Sequence, residues 1–579
     1  MSLYDDASLI QVPSLYKDGL LVSTVPEDRS GDFVFSRGSN LAATRVGPGP
    51  DFFIEKGREN LLLQSNQFDT TWTTSSSASI TSGQADKDGG TSAWKLQAIR
   101  ASTAYVRQLI DASSNVSTFS FYAKAGTSNW TFVNCVNVTG FFDLANGAVG
   151  ALGGGSNVVD ASITSVGGGW YRVSLTGLGV IQQRIYTASA NGNSVSAVGD
   201  NIYIQDAQLE VGLAATEYIE TTTTTGTTGI LEDTPRFDYS NGATCPSLLL
   251  EPSRTNLIQS SEYFGAWGIT NGSVTANDLV SPEGLINGTK FQITGASVLS
   301  QTITSVAGTA TTFSVFAKSG NHSIFRLGNV SSTQRAAWFD LSTGTKLNVN
   351  GGTSTIENYG NGWYRCTASF TSSVDGIYFI ALSASGGSTT PPSSGSNINI
   401  YGAMVESNAS FASSYIPNHS GGTITRAAET SLVTDIDSLF GSNNTFYSEF
   451  IYYTSNTSTF LEVNQNGGAA NLLQISATSS NKINYTIFAN GAFVASRSTN
   501  VLLTDGKMKV ALKYDGTNYK VFLNGSLVDT YAQTSIPISL NRIYCGNARG
   551  SQQFGKGISQ TLLFPSALSD ADCITLTTI

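Results

Sequence analysis

Two short blocks of the chain place a carboxylate, a guanidinium and an amide at the same spacing. They are Glu55, Arg58 and Asn60, and later in the chain Glu251, Arg254 and Asn256. A Glu and an Arg held side by side can grip a sugar or an acid, which is the functional interpretation. Apolar residues flank both blocks, so we favour a structural one: an ion pair inside each block, fixing the register beside a core, with each Asn bonding to the backbone.

Tryptophan rings are the second set of candidates, because an exposed aromatic ring can stack on the C–H face of a sugar. Trp170 and Trp363 occupy the same position in a repeated Gly-Trp-Tyr-Arg sequence and alternate with core positions, so we predict a structural role for them. The rings without a Trp counterpart at the equivalent position are Trp94, Trp130 and Trp338. These three are the predicted glycan-binding residues, with packing as the alternative.

Motifs for catalysis are missing from the sequence. Glycoside cleavage needs two carboxylates about 5 to 9.5 Å apart, but the repeated acids Asp143 and Asp340 lie in Phe-Asp-Leu sequences, where the ordinary role is a turn cap. There is no Gly-x-Ser-x-Gly sequence, phosphate-binding glycine loop or metalloprotease motif, and the chain has only 2 histidines. The residues therefore predict no enzyme, no metal site and no cofactor.

Composition narrows the class further. The net charge is −10 and charged residues make up only 12% of the chain, which argues against sequence-independent nucleic-acid binding. No apolar stretch reaches the roughly 18 to 20 residues of a membrane-spanning helix, so membrane insertion is not expected. The first residues lack the basic start of a secretory signal, so if the protein acts outside a cell we expect it to leave by lysis or an unusual route.

The elements that position these residues are predicted to be strands. Pairs of similar segments in the same order indicate that one module is duplicated. The pairs are residues 119–126 with 313–320, 142–144 with 339–341, and 169–172 with 362–365. Apolar residues alternate with polar ones along these segments, and turn-forming Gly, Asn and Ser separate them. The prediction is an all-β protein of tandem antiparallel sandwiches.

The predicted boundaries follow from the repeat. An N-terminal segment covers residues 1–50, the first module residues 51–225, the second module residues 230–420 and a further sandwich residues 421–579. Residues 221–229, rich in Thr and Gly, are interpreted as a polar link between the modules. In the last domain, two alternating runs joined at Asp515-Gly516 predict a hairpin, and Ser569 is placed to cap a short helix.

Several segments resemble known proteins. Residues 33–37, 43–46, 235–239 and 249–257 are similar to segments common in virion proteins of tailed bacteriophages. The Phe-Ala-Lys-x-Gly, Phe-Asp-Leu and Gly-Trp-Tyr-Arg sequences of the two modules resemble jelly rolls of the carbohydrate-binding-module type. Residues 509–516, 521–525 and 564–570 are similar to concanavalin A-like or laminin G-like modules of phage fibres.

This resemblance implies a structural protein of the virion, extracellular after host lysis. It would be a fibre or appendage subunit, implied to be a homotrimer, that adheres to host-surface or environmental glycans, and residues 1–50 would attach it to other virion proteins. Ca²⁺ is implied by the family analogy only. Two alternatives stay open: an architectural head or tail decoration protein without glycan binding, and a glycan-degrading tail enzyme.

Overall fold

Antiparallel β-structure dominates the chain. The computed structural model describes residues 2–41, 43–46, 53–239, 245–304, 308–330, 334–371, 376–452, 458–546 and 556–579. Within these ranges the strands pair antiparallel throughout, and α1 (Asp570–Thr577) is the one α-helix. Single turns of 3₁₀ helix occur at Leu3–Asp6, Gly155–Asn157, Phe264–Ala266 and Asp437–Leu439. The predicted all-β class is confirmed.

The first module is a two-sheet sandwich preceded by five N-terminal strands. The N-terminal strands are β1 (Leu9–Lys17), β2 (Leu20–Val25), β3 (Phe33–Ser36), β4 (Ala43–Val46) and β5 (Phe53–Lys56). Those of the module are β6 (Arg58–Asn60), β7 (Thr73–Thr74), β8 (Ala78–Gln84), β9 (Ala93–Ala98), β10 (Ser102–Thr103), β11 (Tyr105–Gln108), β12 (Val116–Ala125), β13 (Trp130–Val136), β14 (Thr139–Asp143), β15 (Ala148–Gly153), β16 (Val158–Gly167), β17 (Trp170–Leu178), β18 (Val180–Ala188), β19 (Val195–Ser196), β20 (Asn201–Val211) and β21 (Gly226–Thr228). Six-stranded sheets with the orders β15-β14-β13-β18-β11-β7 and β16-β17-β12-β20-β9-β8 face each other across the core.

The second module repeats this pairing. Its strands are β24 (Arg254–Asn256), β25 (Gly268–Val280), β26 (Ile286–Ile303), β27 (Ala310–Ser319), β28 (Ile324–Val330), β29 (Gln334–Asp340), β30 (Thr345–Asn350), β31 (Gly352–Asn358), β32 (Trp363–Thr371), β33 (Gly376–Leu382), β34 (Asn397–Ser407) and β35 (Ile424–Arg426), and the strands that precede it are β22 (Arg236–Asp238) and β23 (Ser247–Leu250). Equivalent Cα pairs in the two modules are Lys124–Trp170 with Lys318–Trp363, and Thr118–Glu210 with Thr312–Glu406. Both modules also bulge at the same place, where Asp206 (φ 50°) and Gly402 (φ 53°) adopt left-handed backbone. The duplication is therefore one of hydrogen-bonding register as well as of sequence.

The predicted polar link between the modules is part of the fold. Gly226–Thr228 pairs with Arg58–Asn60 as β21 on β6. Ile424–Arg426 makes the matching pair with Arg254–Asn256 in the second module. The interpretation of residues 221–229 as a linker was wrong, because their Thr-rich composition suits an exposed edge strand as well as a coil.

The C-terminal sandwich takes in the N-terminus of the chain. Its own strands are β36 (Thr430–Thr434), β37 (Thr445–Tyr452), β38 (Ser458–Gln465), β39 (Gly468–Ala477), β40 (Lys482–Ala489), β41 (Ala492–Leu502), β42 (Gly506–Tyr514), β43 (Asn518–Leu523), β44 (Ser526–Ala532), β45 (Arg542–Cys545) and β46 (Lys556–Phe564). β1 pairs with β46, and β3 pairs with β36. Leu9, Leu21, Phe33 and Phe35 are buried in this sandwich. The prediction of residues 1–50 as a separate segment was wrong, because these apolar side chains need the partner sheet to leave water.

The local predictions for the last domain hold. β42 and β43 form the expected hairpin around Gly516, which has φ 97°. The Ser569 hydroxyl accepts a hydrogen bond from Asp572 N at 3.0 Å and caps α1. Among the described residues, no helix has the length and apolar character to cross a bilayer.

Buried charges join the N-terminal strands, the second module and the C-terminal sandwich. Glu429 accepts hydrogen bonds from the guanidinium groups of Arg37 (2.9 Å) and Arg236 (2.8 and 2.6 Å). Glu251 pairs with Arg236 and with Arg426, both at 2.7 Å. All five side chains are at most 2% exposed. Removing one partner would leave the others charged and buried, so this cluster fixes how the three parts meet.

Candidate functional site

The outer face of the sheet β15-β14-β13-β18-β11-β7 in the first module carries a row of aromatic rings. Val133 and Cys135 of β13 point into the core, so Phe132 between them in the alternation lies on the outer face. Register places Phe132 between Phe141 and Tyr186. The ring centroid of Phe132 lies 4.3 Å from that of Phe141 and 5.1 Å from that of Tyr186.

Tyr105 extends the row to a fourth strand. It pairs across strands with Tyr186, and their ring centroids are 4.8 Å apart. Phe141 and Tyr186 are buried, whereas Tyr105 and Phe132 are half-buried. The rings of Tyr105 and Phe132 are therefore the ones in this row that a ligand can reach.

A cationic row runs beside the rings. Asn134, Arg184 and Arg107 lie in register on β13, β18 and β11. The Arg184 guanidinium lies 5.6 Å from the ring centroid of Tyr105 and donates to Gln182 Oε1, while its Nε has no hydrogen-bond partner among the described residues. Within the described part of the chain, neither Arg107 nor Arg184 forms an ion pair. Guanidinium groups bind carboxylates through paired N–H donors, so this row can hold an acidic group beside the aromatic row.

Trp130 lies on the same outer face. It is half-buried at the start of β13, next to Asp143 on one side and Ala188 on the other. A Cβ on Gly150 would lie 2.7 Å from Cζ3 of Trp130, so a glycine is needed at that position. We refer to Tyr105, Trp130, Phe132, Phe141, Tyr186, Arg107 and Arg184 together as the aromatic face. The predicted glycan-binding role of Trp130 stays a prediction.

Comparisons with known proteins do not assign a function to this face. No protein-family model matches the chain, and no curated protein matches it significantly. Solved structures with local similarity include the Ruminococcus gnavus IT-sialidase CBM40 bound to α2,3-sialyllactose, at 20% identity over 24% of this chain and 84% of that one, with a TM-score of 0.22. The leech intramolecular trans-sialidase has 18% identity over 24% of each chain and a TM-score of 0.21. The SAP-like pentraxin of Limulus polyphemus has 17% identity over 23% of this chain and 68% of that one, with a TM-score of 0.19. Similarities at this level leave the function to be argued from the residues.

Two of the predicted glycan-binding rings are buried. Trp94 is 5% exposed, lies in the core of the first module next to Phe68, and donates from Nε1 to Asn66 O at 2.9 Å. Trp338 is 4% exposed and donates from Nε1 to Ser388 O at 2.6 Å. Their burial contradicts the predicted glycan-binding role at these two positions and agrees with the packing alternative. Trp94 faces the opposite sheet, and the loop between β33 and β34 lies over Trp338.

The second module does not repeat the aromatic face. Arg326 takes the place of Phe132 in the register, opposite Trp338. Its guanidinium is 5.0 Å from the ring centroid of Phe379, and burial lowers its pKa. An arginine in the row and the loop over Trp338 together make this face of the second module a packed surface, on which the described residues present no open ring.

The two shared tryptophans are buried, as a structural role requires. Trp170 is 2% exposed and Trp363 is 1% exposed. Trp363 packs in a cluster with Phe316 and Tyr401, and its Nε1 donates to Val280 O at 3.1 Å. Neither ring is available for stacking on a ligand.

The Asn of each repeated block behaves as predicted. Asn60 is fully buried and makes four hydrogen bonds to the backbone, donating to Ala207 O (3.2 Å) and Ile219 O (2.8 Å) and accepting from Leu62 N (3.1 Å) and Leu209 N (3.1 Å). Asn256 repeats all four at the equivalent positions, with Ala403 O (3.2 Å), Ile416 O (2.9 Å), Ile258 N (3.0 Å) and Val405 N (3.2 Å). One side chain thus joins three segments of each module.

The predicted ion pairs inside the blocks are wrong. Arg58 pairs with Glu283 of the second module at 2.7 Å rather than with the half-buried Glu55. Arg254 lies 3.8 Å from Glu406, while Glu251 belongs to the buried charge cluster described above. Residues three apart on an extended chain point in opposite directions, so each charge takes its partner from another element.

The carboxylates of the two shared acids, Asp143 and Asp340, accept hydrogen bonds within turns. Asp143 Oδ1 accepts hydrogen bonds from Ala145 N (2.9 Å) and Asn146 N (3.1 Å). Asp340 Oδ1 accepts from the N (2.9 Å) and Oγ (2.7 Å) of Ser342. Among the described residues, no group of three or more His, Cys, Asp or Glu is arranged to hold a metal ion.

Sequence reasoning missed most of the aromatic face. It considered Trp only, whereas four of the five rings are Phe or Tyr. One signal was present: Trp130, Phe132 and Asn134 alternate with the core residues Val133 and Cys135, which places rings on the outer side of a strand. The cross-strand neighbours that make the row continuous depend on register, which that alternation does not give.

Proposed function

We propose that this protein binds glycans through the aromatic face of its first module. The observation that carries the proposal is the continuous row of rings beside two arginines that have no acidic partner among the described residues. Rings supply flat apolar surface for the C–H face of a sugar, and the adjacent donors fix its orientation. The equivalent face of the second module carries an arginine in the row and is covered by a loop, so we place the site in one module only.

The arginines favour acidic sugars. Arg107 and Arg184 are adjacent across strands β11 and β18, in a chain whose net charge is −10. A pair of cations with no ion-pair partner among the described residues attracts a carboxylate or sulfate group to this face of an acidic protein. A glycan with a uronic or sialic acid type residue therefore fits better than a neutral one.

We also propose that the protein is a virion component of a tailed bacteriophage, a homo-oligomeric appendage subunit that adheres to glycans on the host surface. The phage-like segments at residues 33–37, 43–46, 235–239 and 249–257 support this. The N-terminal strands belong to the C-terminal sandwich, so attachment to other virion proteins would use the surface of that sandwich. The architectural alternative predicts attachment to the particle and no glycan binding.

A glycan array tests the binding proposal. Phe132→Ala and Arg184→Gln should each weaken binding to acidic glycans by about tenfold or more, equivalent to about 1.4 kcal/mol. Matched controls are Phe493→Ala, which removes a ring that is 60% exposed on the C-terminal sandwich, and Arg335→Gln in the second module. Wild-type protein that binds no glycan, or face variants that bind as well as their controls, would overturn the proposal.

We propose binding without cleavage. The carboxylate of Asp143, the acid beside Trp130, accepts hydrogen bonds within a turn. Incubation with capsular and lipopolysaccharide glycans should release no new reducing ends. Release that disappears when one Asp or Glu is changed would move the enzyme alternative to first place.

A further inference from the structure

The half-buried rings of the aromatic face lie on two strands that are not neighbours. Tyr105 belongs to β11 and Phe132 to β13, with β18 between them in the sheet. Two strand spacings, about 10 Å, separate their backbones. Trp130 lies two residues before Phe132 and on the same side of β13, about 7 Å away along the strand. A pyranose unit of a chain is about as long as one strand spacing, so about three sugars are needed to reach from Tyr105 to Phe132.

Positive charge is concentrated at the Tyr105 end of the face. Arg107 lies two residues after Tyr105 on β11, and Arg184 is its cross-strand partner on β18. The Arg184 guanidinium lies 5.6 Å from the ring centroid of Tyr105, so its charge is on the β11 side of its strand. Both arginine side chains are half-buried. We call Tyr105, Arg107 and Arg184 the arginine subsite. A sugar that contacts Tyr105 has two guanidinium groups beside it to bind a carboxylate.

The other end of the face is neutral to acidic. The direct cross-strand partners of Trp130 and Phe132 are Asp143, Ala188, Phe141 and Tyr186. Directly opposed residues lie on one side of a sheet, so the Asp143 carboxylate is on the same side as the Trp130 ring. Asn134, the next outward residue of β13, accepts from Val136 N at 2.8 Å through its Oδ1, which leaves its Nδ2 to donate. We call Trp130, Phe132 and Asn134 the tryptophan subsite. It offers a sugar two rings and an amide, and it places a carboxylate beside them.

We propose that the aromatic face binds a glycan segment with an acidic sugar at one end, in the arginine subsite, and a neutral sugar at the other, in the tryptophan subsite. The inference rests on the proposed function and adds the order of the sugars along the face. Charge complementarity carries this order. An acidic sugar in the tryptophan subsite would lose water from its carboxylate without gaining a cation, and it would be repelled by Asp143. The face therefore selects heteroglycans over homopolymers of either an acidic or a neutral sugar.

Calorimetric titration of the full chain with three sets of trisaccharides tests the order of the subsites. The first set carries one terminal glucuronic, galacturonic or sialic acid on a neutral disaccharide of glucose or galactose. The second set contains only acidic sugars, and the third only neutral ones. At least one singly acidic trisaccharide should bind about tenfold or more tightly than every member of the other two sets. The methyl glycoside of the same acid is measured by competition, because a monosaccharide can occupy the arginine subsite only.

Two variants separate the subsites. Trp130→Ala should weaken the singly acidic trisaccharide by about tenfold or more and leave the acidic methyl glycoside within about twofold, which also reports an intact fold. Arg107→Gln should weaken the singly acidic trisaccharide and the acidic methyl glycoside to a similar degree, because both place a carboxylate in the arginine subsite. It should leave the all-neutral trisaccharides unchanged. Phe493→Ala and Arg335→Gln, which lie outside the face, are the matched controls.

Three results would overturn the proposal. One is that no singly acidic trisaccharide binds more tightly than the all-acidic and all-neutral ones. Another is that Trp130→Ala weakens the acidic methyl glycoside as much as the trisaccharide. The third is that Arg107→Gln weakens the all-neutral trisaccharides as much as the singly acidic one. The glycan array reports separately whether the face binds glycans. Any of these results together with array binding refutes only the order of the subsites, whereas the absence of array binding refutes the proposed function.

Discussion

Replacing Asn60 by Ala should destabilise the first module far more than an ordinary polar substitution. The change removes four hydrogen bonds and leaves the Leu62 and Leu209 amides without an acceptor at a fully buried position. A buried donor left unpaired costs about 1 to 3 kcal/mol, and the two carbonyls lose less because each has a second lone pair. The expected loss is about 2 to 6 kcal/mol. Asn256→Ala should do the same to the second module.

Hydrogen exchange read by mass spectrometry separates the two modules. Asn60→Ala should speed exchange in strand Val116–Ala125 by about 30-fold or more, and Asn256→Ala should do so in strand Ala310–Ser319, since 1.4 kcal/mol corresponds to a factor of ten. Glu59→Ala, an exposed change beside Asn60, is the matched control. The bonding scheme would be refuted if Asn60→Ala resembled Glu59→Ala, or if each substitution acted on the other module instead of its own.

Three further outcomes follow from buried groups. Glu429→Gln should destabilise the protein by about 3 to 5 kcal/mol and expose the N-terminal strands to limited proteolysis, because Arg37 loses its buried partner; protease resistance equal to wild type would contradict this. Trp363→Ala should lower the free energy of unfolding by about 3 to 5 kcal/mol in denaturant titration, the range for a large buried aromatic side chain, and a loss under about 1 kcal/mol would contradict its burial. Burial lowers the pKa of His419 more than Glu262 raises it, so its NMR titration should have a midpoint below about 6.5. Its contribution to stability is then complete above about pH 6.5 and declines as the pH falls below that value; a midpoint above 6.5 would reverse the sign.

Much of the architecture could be predicted from local patterns. Alternation in residues 119–126 and 313–320 reports a strand with one buried face, because successive side chains point to opposite sides. The repeated blocks predicted two modules, and the equivalent hydrogen bonds of Asn60 and Asn256 bear this out. The same alternation at Phe33 and Phe35 indicates a strand with one buried face. It does not indicate which sheet the strand joins.

The candidate sites were harder to predict from the sequence than the strands were. Trp94 and Trp338 were glycan-binding candidates because they lack Trp counterparts, with packing as the alternative, and what covers a ring decides between the two. The core of the first module surrounds Trp94, and a loop fifty residues away in sequence covers Trp338. The aromatic face needed the register of four strands.

The sequence by itself determined the strands, the duplication and the buried Asn in each copy, because these depend on alternation and on contacts that recur at fixed spacing. Only the tertiary structure decided the partners of the charges and the exposure of the rings. Arg58 finds Glu283 across 225 residues, and the N-terminal strands find the C-terminal sheet. Burial and ion pairing depend on which residues are close in space. In a protein of long-range strand pairings, residues far apart in sequence become neighbours, and their sequence separation does not predict this.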